Sequence, residues 1–157
     1  LLANAPRSKA TWIGLSLMLG IDCGLRRGEI LKLKRSDINF QNSTCMLRDT
    51  KNGTSRKIGL SPRVVRAMLE QPSHIDGRLI NCTTKDQFKF YWEQLRRWSD
   101  VKKTFHSTRH TFASRCAMKG WTIQEISAQG GWKELKILKR YTHIAPEYLA
   151  DKLKNQK

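Results

Sequence analysis

Asn52-Gly53 sits between two short runs of strand-forming residues, TCMLRD and SRKIGL, in a chain whose other apolar residues recur at helical spacing. An Asn-Gly pair supplies the left-handed backbone that a tight antiparallel hairpin needs. With INF as a third run, residues 38 to 60 read as a three-stranded antiparallel sheet. The expected class is α+β, mainly α-helical with one small sheet.

The helices carry their own boundary signals. Pro6 suits a first helical turn and Gly24 a C-terminal cap, which predicts a helix over 7 to 22 with Trp12, Leu15, Leu19 and Cys23 along one stripe. RGEILKLKR is a short helix that stops at Ser36-Asp37, and Ser61-Pro62 opens another, PRVVRAMLEQ. KDQFKFYWEQLRRWSD places Phe88, Trp92, Leu95 and Ser99 at 3.6-residue spacing. Helix returns over about 108 to 118, and Thr122 with Glu125 forms a T-x-x-E capping box for one that ends at Gly130-Gly131. KELKILKRY and, after Pro146, PEYLADKLK complete the set, with a loop over 72 to 82.

A length of 157 residues suits one domain with one core. Thirty Lys and Arg against thirteen Asp and Glu leave a net charge of +17, a field that attracts polyanions, nucleic acid first and anionic lipid second. No run reaches the roughly twenty apolar residues of a membrane span, so no membrane partner is expected. Cys23, Cys45, Cys82 and Cys116 are too scattered for a zinc site and read as reduced thiols of an intracellular protein. The opening LLANAPRSKA has neither an initiator Met nor a signal-peptide pattern, which suggests a piece of a longer protein.

Four places could carry chemistry, and each has an ordinary structural alternative. In GLRRGEI, Glu29 lies one helical turn beyond Arg26 and could orient its guanidinium for bidentate contact with phosphate, or the two could be a solvated pair. Lys51 falls at the hairpin tip, where it could enter a DNA groove or simply be solvated. In HSTRHTFASR, His106 and Arg109 stack at a helix start whose backbone N–H groups favour anions, while His110 reads as buried and hydrogen-bonded. In GGWKELKILKRYTH, Trp132 offers an uncharged indole donor, and Tyr141 could be a packed aromatic. Nine residues on one helix would put these two on opposite faces, so meeting at one phosphate requires Trp132 to precede the helix or the backbone to break.

In order and spacing, these boxes resemble the catalytic domain of the tyrosine recombinases, the phage integrase family. The resemblance implies that fold, with residues 1–157 as a C-terminal catalytic domain lacking the family's N-terminal DNA clamp. It casts Arg26, Lys51, His106, Arg109, Trp132 and Tyr141 as catalytic, with Glu29 supporting. Trp132 stands where most members have histidine, although some carry tryptophan. The implied reaction is transesterification: Tyr141 attacks a DNA phosphodiester, leaving a 3′-phosphotyrosyl link and a free 5′ hydroxyl.

The chemistry asks for these groups. Full ionisation of a phenol of pKa near 10 at about pH 7 costs about 4 kcal/mol, so a base helps, and His106 is the expected one. Arg26 and Arg109 would clamp the transition-state oxygens, and Lys51 would protonate the leaving 5′ oxygen. No cofactor, metal or ATP is expected. Lys34, Arg35, Arg56, Lys57, Lys139 and Arg140 would neutralise DNA phosphates. The expected partner is double-stranded DNA at recombination or attachment sites, with a homotetramer assembled on it through a C-terminal helix that presents Tyr148, Leu149 and Leu153. The expected location is cytoplasmic, on DNA, and the expected role integration of a phage or mobile element. A rival of another class is a non-catalytic helix-turn-helix module built from TIQEISAQGGWKELKILKRY.

Overall fold

The computed structural model describes residues 1–48, 55–138, 141 and 154. Its helices are α1 (Trp12–Asp22), α2 (Arg27–Lys32), α3 (Pro62–Leu69), α4 (Lys85–Trp98), α5 (Ser107–Met118), α6 (Ile123–Gly130) and α7 (Leu135–Leu138). Between α2 and α3 lies the sheet, β1 (Ile38–Asn39), β2 (Thr44–Leu47) and β3 (Arg56–Gly59). It is antiparallel in the order β1-β2-β3, with Cys45 opposite both Ile38 and Ile58. Those three side chains share one face and are buried, as a period of two requires. The Asn52-Gly53 turn itself lies outside the described residues.

α1 is the axis of the core. Trp12, Ile13, Leu15, Leu17 and Leu19 are buried, and with the buried Gly14, Ser16 and Gly20 they cover most of its circumference, so it needs neighbours on nearly every side. It packs against α5, α3 and α2, while Phe88, Trp92 and Leu95 of α4 join the same cluster. A second, smaller cluster sits between α5, α6 and α7: Phe112, Ala113, Cys116, Ile126 and Leu138, with Trp132 and Tyr141 against it.

The first helix begins later than the sequence suggests. Leu2–Arg7 form a separate 3-10 turn containing Pro6, and the α-helix starts at Trp12. Ser8 is the cause: its backbone is extended, and its hydroxyl accepts the Ala10 N–H at 3.2 Å, a local turn that competes with the helix. Local signals elsewhere operate as read. Ser61 accepts the Val64 N–H at 3.3 Å, and Thr122 and Glu125 exchange capping hydrogen bonds of 3.2 and 2.7 Å.

The four cysteines are buried and form no disulfide. Burial pushes the Cys45 thiol up to about 12 and those of Cys23 and Cys116 to about 11, which leaves little thiolate at neutral pH. Among the described residues, no helix is long and apolar enough to cross a membrane.

Candidate active site

Glu29 organises one half of the site. It is the third residue of α2, and its carboxylate accepts the Arg26 backbone N–H at 2.8 Å, capping the helix start. The same carboxylate accepts Arg26 Nη1 at 2.9 Å and the Arg56 fork at 2.8 and 3.1 Å. Burial alone would raise the Glu29 pKa, but hydrogen bonds and charge from Arg56 and Arg26 hold it below the ordinary 4.5. The two arginines then reach across to the end of α6. Arg26 Nη2 donates to the Gly131 carbonyl at 2.7 Å, while Arg56 donates to those of Gln129 and Gly130 at 3.3 and 3.2 Å. These are the carbonyls that a helix end leaves without partners.

Gly131 makes this junction possible. It ends α6 in the left-handed conformation at φ +70°, and a Cβ there would lie 2.7 Å from Arg56 Cζ. The chain then turns so that Trp132 precedes α7, as a shared site with Tyr141 requires. Its ring runs parallel to Phe112 at 6.2 Å, and the Arg109 guanidinium carbon lies over it, 4.1 Å from the centroid.

Arg109 is 1% exposed. Nη1 donates to the Gly24 carbonyl, and Nε has no hydrogen-bond partner among the described residues. Gly24, at φ +71°, brings that carbonyl in by passing close over Phe112, whose Cδ1 would lie 2.7 Å from an added Cβ. Burial, and then the charge of Arg26, pull Arg109 down to about 9. It remains a cation at neutral pH, desolvated and short of counter-charge, a state that a bound anion would relieve.

Leu138 and Tyr141 meet the same apolar cluster. Leu138 is fully buried in it with Phe112, Ala113 and Cys116 of α5, three residues before the tyrosine. The Tyr141 hydroxyl and His110 Nδ1 share a hydrogen bond, and their rings lie 6.0 Å apart. His106, expected to serve the tyrosine, lies exposed at the N-cap position of α5 without a side-chain capping hydrogen bond, its ring edge-on to that of His110 at 5.3 Å. Desolvation, then Arg109, His110 and Arg26, lower its pKa.

Two of the expected DNA-facing cations are used internally. Arg56 is turned inward to Glu29 and α6, a role invisible in sequence because its partners lie 27 and more than 70 residues away. Arg35 donates to the Met68 and Gln71 carbonyls at the end of α3, at 3.4 and 3.3 Å, and covers the Phe40 ring. Lys34 and Lys57 are exposed. A cleft of about 390 Å³ beside Glu29, lined by Lys32, Lys34 and Arg48, opens toward β2. Lys51, Lys139, Arg140, Tyr148, Leu149 and Leu153 lie outside the described residues. Among the described residues, no group of three or more His, Cys, Asp or Glu is disposed to hold a metal ion.

A mainly helical domain with a three-stranded sheet, two arginines and a tyrosine converging on one corner, has the fold of a tyrosine recombinase catalytic domain. The chain belongs to the phage integrase family, whose model matches residues 1–147. The shufflon-specific DNA recombinase of Escherichia coli is 32% identical over 156 residues, covering 97% of this chain and 40% of that protein. Tyrosine recombinase XerA of Thermococcus onnurineus is 28% identical over 146 residues, 86% of this chain and 52% of that protein. The chain thus spans about half or less of the length of these relatives. Its fold matches the catalytic domain of bacteriophage HP1 integrase at a TM-score of 0.77 and 24% identity, over 99% of this chain and 88% of that one. The Tn1549 transposon integrase in complex with a circular intermediate DNA matches at 0.75 and 18% identity, over 99% and 62%. The helix-turn-helix alternative is not favoured, since the relatives are recombinases and the turn between α6 and α7 is folded under Arg109.

Proposed function

We propose that this chain is the catalytic domain of a site-specific DNA recombinase that cuts and rejoins strands through a phosphotyrosyl bond at Tyr141. One observation carries the reading: α5 buries Arg109, whose Nε is unpartnered among the described residues, and through His110 meets the Tyr141 hydroxyl, so one helix brings an anion clamp and a nucleophile together. A phosphodiester oxygen in that corner would supply the negative charge that Arg109 lacks.

In this reading Arg26, held by Glu29, and Arg109, backed by Trp132, take the non-bridging oxygens, with His106 beside them at the helix start. Fixed cations lower the barrier because they need no reorganisation as charge develops. Family likeness assigns Lys51 to protonate the leaving 5′ oxygen. The phosphotyrosyl bond conserves the energy of the one it replaces, so rejoining needs no ATP. Two duplexes present four strands, and the working unit we propose is four copies on paired sites. Integration of a phage or mobile element into a cytoplasmic genome is the role proposed for the whole protein, in line with relatives that are phage and transposon integrases.

The test is a nicked suicide substrate whose short leaving strand diffuses away, drawn from a pool of the element's own ends and incubated with EDTA. The parent chain should give a denaturant-resistant protein–DNA band that Tyr141→Phe abolishes. Salt-sensitive binding without any band, from the parent chain and from a longer chain carrying its clamp domain, would sink the reading.

A further inference from the structure

We propose that His110, and not His106, takes the phenolic proton of Tyr141 during strand cleavage. The inference rests on the recombinase reading and adds to it a catalytic residue, one that touches a reacting atom.

The geometry separates two histidines that sequence spacing alone places together. Both lie on α5 or at its cap, four residues apart and hence on one face, with rings 5.3 Å apart at 83°. His106 is exposed, and the groups that act on its charge are Arg109, Arg26 and His110. Such surroundings suit a donor to phosphate. His110 lies one turn further into the helix, half-buried, and its Nδ1 meets the Tyr141 hydroxyl. The pairing is supported by packing: Phe112 and Ala113 of α5 are buried with Leu138 in the cluster against which Tyr141 itself rests.

The step balances as follows. In the tautomer with its proton on Nε2, His110 Nδ1 accepts the hydrogen of Tyr141 Oη. That proton transfers to Nδ1 as the Oη–P bond forms. The bond from phosphorus to the 5′ oxygen breaks with its electron pair, and that oxygen takes a proton from the general acid. On rejoining, the 5′ hydroxyl returns its proton to the now deprotonated general acid as its oxygen attacks phosphorus, the Oη–P bond breaks with its electron pair, and His110 gives its proton back to the phenolate. The same imidazole serves as base and then as acid.

Two measurements test the assignment. In the DNA-free chain with ¹⁵N-labelled histidine, Tyr141→Phe should move the Nδ1 resonance of His110 more than any signal of His106. In single-turnover assays on the suicide substrate, His110→Gln should slow adduct formation by about 100-fold or more while DNA binding stays unchanged. Replacing Tyr141 by a fluorinated tyrosine acidic enough to ionise near neutrality should restore most of that loss in His110→Gln and none of the loss in His106→Gln. A merely structural role for His110 would not be rescued by a more acidic nucleophile. An unmoved His110 resonance, a parent-like rate in His110→Gln, or a slow rate that the acidic phenol leaves slow each overturns the proposal. Absence of adduct from both the parent chain and a longer chain carrying the clamp domain overturns the recombinase reading on which it rests.

Discussion

Glu29 shows how one carboxylate can hold several cations in place. Its side chain is 5% exposed and sits between the forks of Arg26 and Arg56. Removing one member of a buried ionic cluster costs more than the cluster contributes net, because the remaining charges lose their compensation. Glu29→Gln should therefore destabilise the fold by about 3 kcal/mol, read from urea unfolding at about pH 7. The pH dependence follows from the direction of the shift. With its folded pKa below 4.5, Glu29 contributes fully above the unfolded value, and the contribution is lost as pH falls through the folded one. The parent should lose stability steeply below about pH 4.5, and Glu29→Gln less so, narrowing the gap between them. Parallel curves would place the Glu29 carboxylate outside the network.

At the scale of elements, two glycines in the family boxes call for opposite expectations. Gly131 ends α6 at φ +70° against the Arg56 guanidinium, so Gly131→Ala adds left-handed strain of about 1–2 kcal/mol and displaces Arg56. Gly28, inside α2, has nothing within 4 Å of an added Cβ, and Gly28→Ala should leave stability unchanged or raise it by about 0.5–1 kcal/mol. Thermal unfolding of the pair decides whether the α6 turn is as tightly fitted as its hydrogen bonds imply. Sequence made visible those elements whose causes are local. The Thr122–Glu125 box, the Ser61 cap and the strand periods around Cys45 each depend on groups within a few residues. The late start of α1 was also local, in the Ser8 turn, but Pro6 was the louder signal. The site divides the same way. Arg26 with Glu29, and Trp132 ahead of its helix, follow from spacing, whereas the inward turn of Arg56 and the pairing of His110 with Tyr141 depend on segments 27 to 74 residues apart. No periodicity encodes such contacts.

At the scale of the whole molecule, the net charge of +17 implies attraction to DNA, but not every cation contributes. A lysine or arginine adds to the salt dependence of binding only if it displaces counterions from phosphate on complex formation, and a guanidinium already bound to protein carbonyls has little left to give. The structure separates these cases. Lys57 stands exposed on β3, next to Arg56, whose fork is turned to Glu29. Arg35 is held by the carbonyls at the end of α3 and by the face of Phe40. If the DNA path crosses the sheet side of the site, Lys57→Ala should reduce the slope of log K against log salt by about 0.9, the increment for one phosphate contact on duplex DNA. Arg35→Ala should leave the slope unchanged and lower the unfolding midpoint instead, because it frees two carbonyls at a helix end. Fluorescence anisotropy with a labelled duplex across a potassium chloride series, paired with thermal melts, measures both. Equal slope changes in the two variants would mean that Arg35 leaves α3 on binding, and an unchanged slope in Lys57→Ala would move the DNA path off β3.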